Sequence, residues 1–495
     1  MFVGMNYIDG SWVPHRPEVS SINPSTEEEL GLFPISTQAE IDEAVAAAKK
    51  AQKSWRQLSR VRRGEYFEAL IGALKIGADD IAQGISRETG KHLNESVAEI
   101  NEAIHMAQYT FGQSRTAIGS ILPSEIAEKD SYVIRKPKGV VAVISPWNFP
   151  LAIGGFWCAA PALLEGNTVV FKPSEDTPAI GQIIADLYRR ANFPPGVFNL
   201  QHGDGRVGRF LMEHRDVNHI CFTGSYAVGR EIQLTCASQG RKSCSCEMGS
   251  KSAVIVCADA DIDMAVKACV ASAYKLTGQR CVSAGRLIVE HKIIDEFMAK
   301  FVAASQKIRV GDPLDKEKEM DMGPLINKNQ MDRVMKYNYM TEIDEHTQVL
   351  LRYSQTWPGM RGYFLTPHVY TTKWQEDEAR AFLKEEVFGP HCAILPFDDL
   401  EEAINIYNDT DFGLSVAVCT NDYRKMRKVR DECDYGLGYV NLPCIGAESS
   451  SPFGGVKKSG YGGSSAAGTF DAVVHKVTWT VNHDQDIKMA QGLKL

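Results

Sequence analysis

The stretch LTGQRCVSAGR, residues 276–286, sets a cysteine in a polar glycine-glutamine loop. Cys281 follows Gly278 and Gln279 and adjoins Arg280. A neighbouring cation favours thiolate over thiol, and the thiolate is the nucleophile. A thiolate that attacks a carbonyl needs donors for the oxyanion it creates. Asn148, in PWNFP at the end of an apolar run, offers a side-chain N–H, and the main chain of Cys281 offers another. The thioester that follows needs a water and a base. Glu247, in SCEMGSKSAVIV, precedes a strand-like run and has the chemistry of such a base. Taken one at a time, Asn148 also reads as a turn residue and Glu247 as a surface carboxylate.

Cys281 has to be distinguished from the rest of the 12 cysteines. Cys158, Cys221, Cys257, Cys269 and Cys419 lie in apolar or mixed surroundings, as buried reduced thiols do. They form no framework of the kind found in small secreted chains. Cys244 and Cys246 form a C-S-C pair with no second Cys/His pair at zinc-ligand spacing, so no metal site is expected. The reduced thiols, and a start (MFVGMNYIDGSWVP) without basic and long apolar regions, point to a cytoplasmic protein.

A second set of residues concerns phosphate. Neither GxGxxG after a strand nor GxxxxGK[ST] occurs. FTGSYAVGREI sets Gly224 and Ser225 between a strand-like run and a helix-like one, where main-chain N–H groups bind a pyrophosphate. HGDGRVG, 202–208, reads as a plain glycine loop. Lys172 and Glu175 follow another apolar run and suit the two ribose hydroxyls of an adenosine. A carboxylate there repels a 2′-phosphate and favours NAD, with NADP possible. From spacing alone the pair reads equally as a solvated turn.

These groups need elements to hold them. At 495 residues the chain is too long for one ordinary core. It is 44% hydrophobic and 23% charged, with a net charge of -8, which argues against nucleic-acid or anionic-membrane partners. No apolar run reaches the roughly 18 residues of a membrane span. Thr37 and Glu40 form a capping box ahead of a helical stripe of Ile41, Val45, Ala48 and Trp55. Further helical patterns run through RRGEYFEALIGALKIGADDIAQGISRETGK and EINEAIHMAQYTFGQS. KGVVAVISPWNFP, GNTVVFKPSEDTP and NHICFTGSYAVG each carry a short apolar run, as doubly buried parallel strands do. FWCAAPALLE and AIGQIIADLYRRA lie between them as helices. A doubly wound α/β sheet follows, with ligands beyond the carboxyl ends of its strands. SAVIVCADADIDMAVKACVASAYKLTGQRC repeats the pattern and opens a second sheet, to which CVSAGRLIVE, EEVFGPHCAILPF and GLSVAVCTN add strands. HKVTWTVNH alternates and can pair with SYVIRKPKG as an arm. The expected division is 1–117 with 139–249, then 250–449, with 118–138 and 470–495 as the arm.

PWNFP, GNTVVFKPSEDTP, FTGS, EMGSKSAVIV, GQRC, EEVFGP and PFGGVKKSG stand in the order and spacing of the aldehyde dehydrogenase superfamily. By that resemblance, which covers essentially the whole chain, it is identified as a member. The resemblance implies a Rossmann-like NAD(P) domain, a catalytic domain and a strand arm that completes a neighbour's sheet in a homo-oligomer, dimer or tetramer. It puts the nucleophile on Cys281, the base on Glu247 and the oxyanion amide on Asn148. Lys172 and Glu175 become adenosine-ribose contacts, with Gly224 and Ser225 by the pyrophosphate. Glu386 and Phe388 take the nicotinamide ribose and ring. Ser145 and Trp147 complete the cofactor set.

For the aldehyde, GQRC, GAES and the C-terminal tail look most like the α-aminoadipic semialdehyde branch. Other features resemble the succinylglutamate semialdehyde and pyrroline-5-carboxylate branches. Arg280 and the N–H groups of Gly446 and Ala447 would meet a substrate carboxylate, and Glu448 and Glu102 an ammonium. Alternatively, Arg280 only tunes the thiol and Glu448 is a rim residue, leaving a broad-specificity detoxifying enzyme. A catalytically idle binding protein would be expected to lose Cys281, Glu247 and Asn148. The sequence departs from the family pattern at Ser250 (usually glycine), at GGSSAAG (often G-R-E) and at His391 (often a small apolar residue). The first should alter a local turn and the second the region near the arm.

Overall fold

The computed structural model describes residues 2–315, 320–354, 361–374 and 380–489. The last part of the expected arm, 490–495, lies outside them, as do the short stretches 316–319, 355–360 and 375–379 of the expected second domain.

The chain builds two large sheets. In the 8-stranded one, five parallel strands run in the spatial order Ser243–Glu247, His219–Thr223, Val140–Ile144, Thr168–Lys172, Phe198–Leu200. The order reverses between Val140–Ile144 and His219–Thr223, which leaves a crevice beyond their carboxyl ends. Asn6–Ile8 and Ser11–Val13 extend the sheet at one edge. Gly460–Tyr461, from a stretch that sequence reading assigned to no domain, pairs antiparallel with Ser243–Glu247 at the other.

Strand residues divide by parity. Val141 and Val143 enter a core with the helices Arg60–Ile76 and Leu93–Gln113, whereas Val140 and Ala142 enter another with the helix Gln38–Trp55. That is why these runs are apolar throughout. The long helical pattern starting at RRGEYF is two helices, Arg60–Ile76 and Ala78–Thr89, separated at Gly77. The Thr37–Glu40 capping box is formed. FWCAAPALLE is the end of a wider π-helical turn, Ala152–Cys158, that runs into the α-helix Ala159–Leu164.

The 7-stranded sheet runs Gln348–Leu351, His368–Thr371, His391–Phe397, Arg286–Glu290, Ala253–Val256, Ser415–Cys419, Leu437–Val440, parallel except for the first. Only Met248–Ser252 separates the end of Ser243–Glu247 from the start of Ala253–Val256. The carboxyl edge of one sheet therefore meets the amino edge of the other. A third, 3-stranded sheet joins Ser120–Leu122, Lys129–Pro137 and Val474–Asn482, the last two paired antiparallel over nine residues.

Candidate active site

Strand register brings the polar turns to one place. Ile144 pairs with both Lys172 and Phe222, and Thr223 pairs with Glu247. The turns after these positions wall a cleft of about 790 Å³ lined by Ser145, Trp147, Lys172, Glu175, Gly224 and Ser225. Ser225 caps the helix Tyr226–Gln239, whose first N–H groups open towards the cleft wall. Lys172 is buried, donating to the Pro173 carbonyl at 2.9 Å and to Glu175 at 3.4 Å. Burial lowers its pKa, and the Glu175 carboxylate opposes that shift.

The HGDGRVG stretch is more than a loop. Asp204 caps the helix Gly205–Glu213, and Gly205, Arg206, Gly208 and Arg209 line the same cleft. The spacing of Asp204 before a short amphipathic run was the available signal. A Cβ on Gly205 would meet nothing within 4 Å, and one on Gly208 only Lys172, at 3.9 Å. A smooth, glycine-bordered cleft with a buried lysine, a carboxylate and a helix N-terminus suits a dinucleotide.

A smaller cavity of about 210 Å³ continues the cleft, sharing Pro146, Trp147, Thr223, Gly224 and Ser225 with it. Its far wall is Asn148, Cys281, Glu386 and Phe388. Phe388 meets Trp147 edge-on at 5.4 Å and takes a left-handed backbone, φ 61°. Such a conformation is costly for a bulky residue and is characteristic of functional sites.

All twelve thiols are free, and Cys281 is the one that is not fully buried. Its loop is tightly wound: Leu276, Thr277 and Gly278 have φ of 53°, 57° and 70°. The Asn148 amide donates to the Gln279 carbonyl at 3.0 Å, which ties the two loops together and leaves its second N–H for another acceptor. The thiol pKa is pushed up to about 12, by burial first, then by the charges of Glu386 and Glu247. Arg280 pulls it down only weakly. The expectation that Arg280 activates the thiol is therefore corrected: its guanidinium is paired with Glu95 at 2.9 Å, and that carboxylate neutralises it. Glu386 accepts from the Ser250 N–H at 2.7 Å, and burial raises its pKa to about 7.

Glu247 is buried, and burial raises its pKa well above the ordinary carboxylate range. One oxygen accepts the Ser465 N–H at 3.2 Å, while the other has no hydrogen-bond partner among the described residues. The GGSSAAG departure thus lies against Glu247, the expected base, which the sequence-based placement near the arm missed. Ser250 does more than alter a turn: its hydroxyl donates to the Cys281 carbonyl. His391 bonds Asn338 at 2.7 Å and Tyr370 at 3.1 Å, a buried ring held neutral, outside the site's chemistry.

The substrate-side residues divide. Arg280, Glu102 and the buried Trp157 form one neighbourhood, since Glu102 feels both others. The Trp157 side chain hydrogen-bonds Glu102, and Arg280 Nε is buried without a hydrogen-bond partner among the described residues. Burial, then the charge of Glu99, raises the Glu102 pKa to about 8. Gly446, Ala447 and Glu448 are exposed, while Ile445 packs into the same core as Cys281. Trp157, absent from the sequence-derived set, meets Phe453 at 4.9 Å with the rings tilted by 52° and carried no signal beyond its apolar surroundings.

Residues 12–478 match the profile described as the aldehyde dehydrogenase family. The chain belongs to that family. This aldehyde dehydrogenase is 36% identical over 461 residues to alpha-ketoglutaric semialdehyde dehydrogenase of Bacillus subtilis (strain 168), covering 92% of this chain and 93% of the relative. It is 31% identical to aldehyde dehydrogenase family 7 member A1 of Pisum sativum, over 99% of this chain and 95% of that one. The crystal structure of PnpE from Pseudomonas sp. WBC-3 superposes with a TM-score of 0.92 at 33% identity, covering 99% and 100% of the two chains. The enzyme's two-sheet α/β architecture is that of the family.

Proposed function

We propose that this aldehyde dehydrogenase oxidises a carboxylate-bearing semialdehyde to the acid through a covalent adduct on Cys281, with NAD as the preferred cofactor. Cys281 attacks the aldehyde carbon, and the oxyanion accepts N–H donors from Asn148 and the Cys281 main chain. Bound cofactor supplies the hydride acceptor. Lys172 and Glu175 would hold its adenosine ribose, Gly224 and Ser225 its pyrophosphate, and Glu386, Phe388 and Trp147 its nicotinamide half, with Ser145 in the cleft wall. Glu247, deprotonated, takes a proton from water, and the hydroxide equivalent cleaves the thioester to release acid and restore the thiol. The sheet of Val140–Ile144 then serves as the cofactor domain and that of Ala253–Val256 as the catalytic domain.

One observation carries the substrate class: the buried Arg280 Nε has no hydrogen-bond partner among the described residues, beside a Glu102 that is neutral at pH 7. An unmade buried donor is costly, and a carboxylate would satisfy it. A neutral Glu102 does not repel it and offers an ammonium no charge, which favours dicarboxylic semialdehydes over the amino-bearing α-aminoadipic and glutamic ones. The alpha-ketoglutaric semialdehyde dehydrogenase relative supports the same class.

NADH formation at saturating NAD+ tests this, with α-ketoglutaric, α-aminoadipic, glutamic and succinylglutamic semialdehydes beside propanal, hexanal and benzaldehyde, and Cys281→Ala as blank. An advantage in kcat/KM of about 100-fold for a carboxylated aldehyde, about 2.7 kcal/mol, is expected. Equal or better turnover of the plain aldehydes makes this a broad-specificity enzyme instead.

We also propose that the enzyme is a homo-oligomer joined through its arm. Ile121, Leu122 and Trp479 on that sheet are 73%, 44% and 61% exposed, more apolar surface than an isolated arm would carry in water.

A further inference from the structure

One helix reaches both reacting loops. Glu95 and Glu99 lie one turn apart near the start of Leu93–Gln113, about 6 Å along its axis. The Glu95 carboxylate accepts the Leu276 N–H at 3.0 Å and pairs with Arg280 at 2.9 Å, at both ends of the loop that carries Cys281. The Glu99 carboxylate accepts the Leu151 and Ala152 N–H groups at 2.8 and 3.1 Å, just after Asn148. Its other oxygen meets Lys91, whose ammonium donates to the Asn148 carbonyl at 2.8 Å and sits 4.2 Å from the Phe149 ring centroid. The side chains of Lys91 and Glu99 have no exposed surface. Interior ion pairs of this kind seldom beat apolar packing for stability. Here every bond the pair makes to the main chain falls on the oxyanion loop, and the Glu95 bonds fall on a thiol loop held in left-handed backbone.

We propose that Glu95 and Glu99 are positioning residues that brace the thiol loop and the oxyanion loop from one rigid helix, with Lys91 completing the second brace. This rests on the reading of Cys281 as nucleophile and Asn148 as oxyanion donor. The helix sets the separation of thiol and amide before aldehyde arrives.

A double-mutant cycle between Glu99→Gln and Asn148→Ala tests the second brace. Glu99→Gln should lower kcat/KM for aldehyde at least tenfold, and cost less than threefold more once Asn148→Ala is present. Alkylation of Cys281 by iodoacetamide, which needs no oxyanion donor, should stay within twofold. An equal loss in both backgrounds, or alkylation falling in step with turnover, overturns the brace in favour of a general structural role. If Glu99→Gln does not fold, the Lys91→Met/Glu99→Gln pair removes both charges together and is judged by the same criteria. Glu95→Gln should shift the pH midpoint of alkylation downward, since Arg280 then loses the carboxylate that neutralises it. An unmoved profile overturns the first brace. Undiminished turnover in Asn148→Ala overturns the oxyanion reading and the Glu99 brace with it, and Glu95→Gln still decides the thiol loop.

Discussion

At the scale of single residues, the resting site is electrostatically inactive. Cys281 is held far towards the thiol, because burial and two carboxylates all disfavour the anion and Arg280 is spoken for by Glu95. Below a pKa of about 12 the thiolate fraction rises tenfold per pH unit, so alkylation of the cofactor-free enzyme by iodoacetamide should climb steadily from pH 7 to 10. Glu386 carries its charge above about pH 7. Glu386→Gln removes that charge, lowers the thiol pKa and should speed alkylation at pH 8.5 several-fold; unchanged or slower alkylation would mean that Glu386 does not act on the thiol. Glu102 is neutral below about pH 8 and charged above. KM for a carboxylated semialdehyde should therefore rise between pH 7 and 9.5, and Glu102→Gln should flatten that rise. Cys281 could be singled out from sequence because it stands in a polar loop, among motifs in the family's order, whereas Cys158, Cys221, Cys257, Cys269 and Cys419 lie in apolar or mixed surroundings. The state of Arg280 could not, since its partner Glu95 lies far away in the chain.

At the scale of elements, local signals were read well where the chain itself closes the interaction. The Thr37–Glu40 capping box satisfies orphan N–H groups within one turn, and Thr37→Ala should cost about 1 kcal/mol in urea unfolding. The apolar strands were legible because both faces of each sheet are covered. Boundaries set by tertiary packing were less legible: the break at Gly77, the π-turn Ala152–Cys158 and the edge strand Gly460–Tyr461. Ser250 shows the same limit. Its hydroxyl serves the carbonyl of Cys281, which a sequence departure alone does not reveal. Ser250→Ala should leave that carbonyl short of a donor, costing about 1 kcal/mol in stability and lowering kcat more than it changes KM.

For the whole molecule, the candidate site lies where the carboxyl edge of one sheet meets the amino edge of the other, and the expected arm forms a separate 3-stranded sheet. If the arm joins subunits, Ile121→Asp with Trp479→Ala should reduce the mass measured by light scattering to that of one chain. A mass equal to the unaltered protein's would place the interface elsewhere. The sequence by itself determined the family and the two-sheet plan, and it pointed to the proposed nucleophile, base and oxyanion amide, because those depend on residue types at short spacings. Only the tertiary structure decided their working state: Arg280 neutralised by Glu95, Glu102 protonated beside an unpartnered Arg280 nitrogen, Glu247 resting on Ser465, and the two loops joined by one helix. Each of those depends on desolvation and on partners brought together from distant parts of the chain, and neither is written in local sequence.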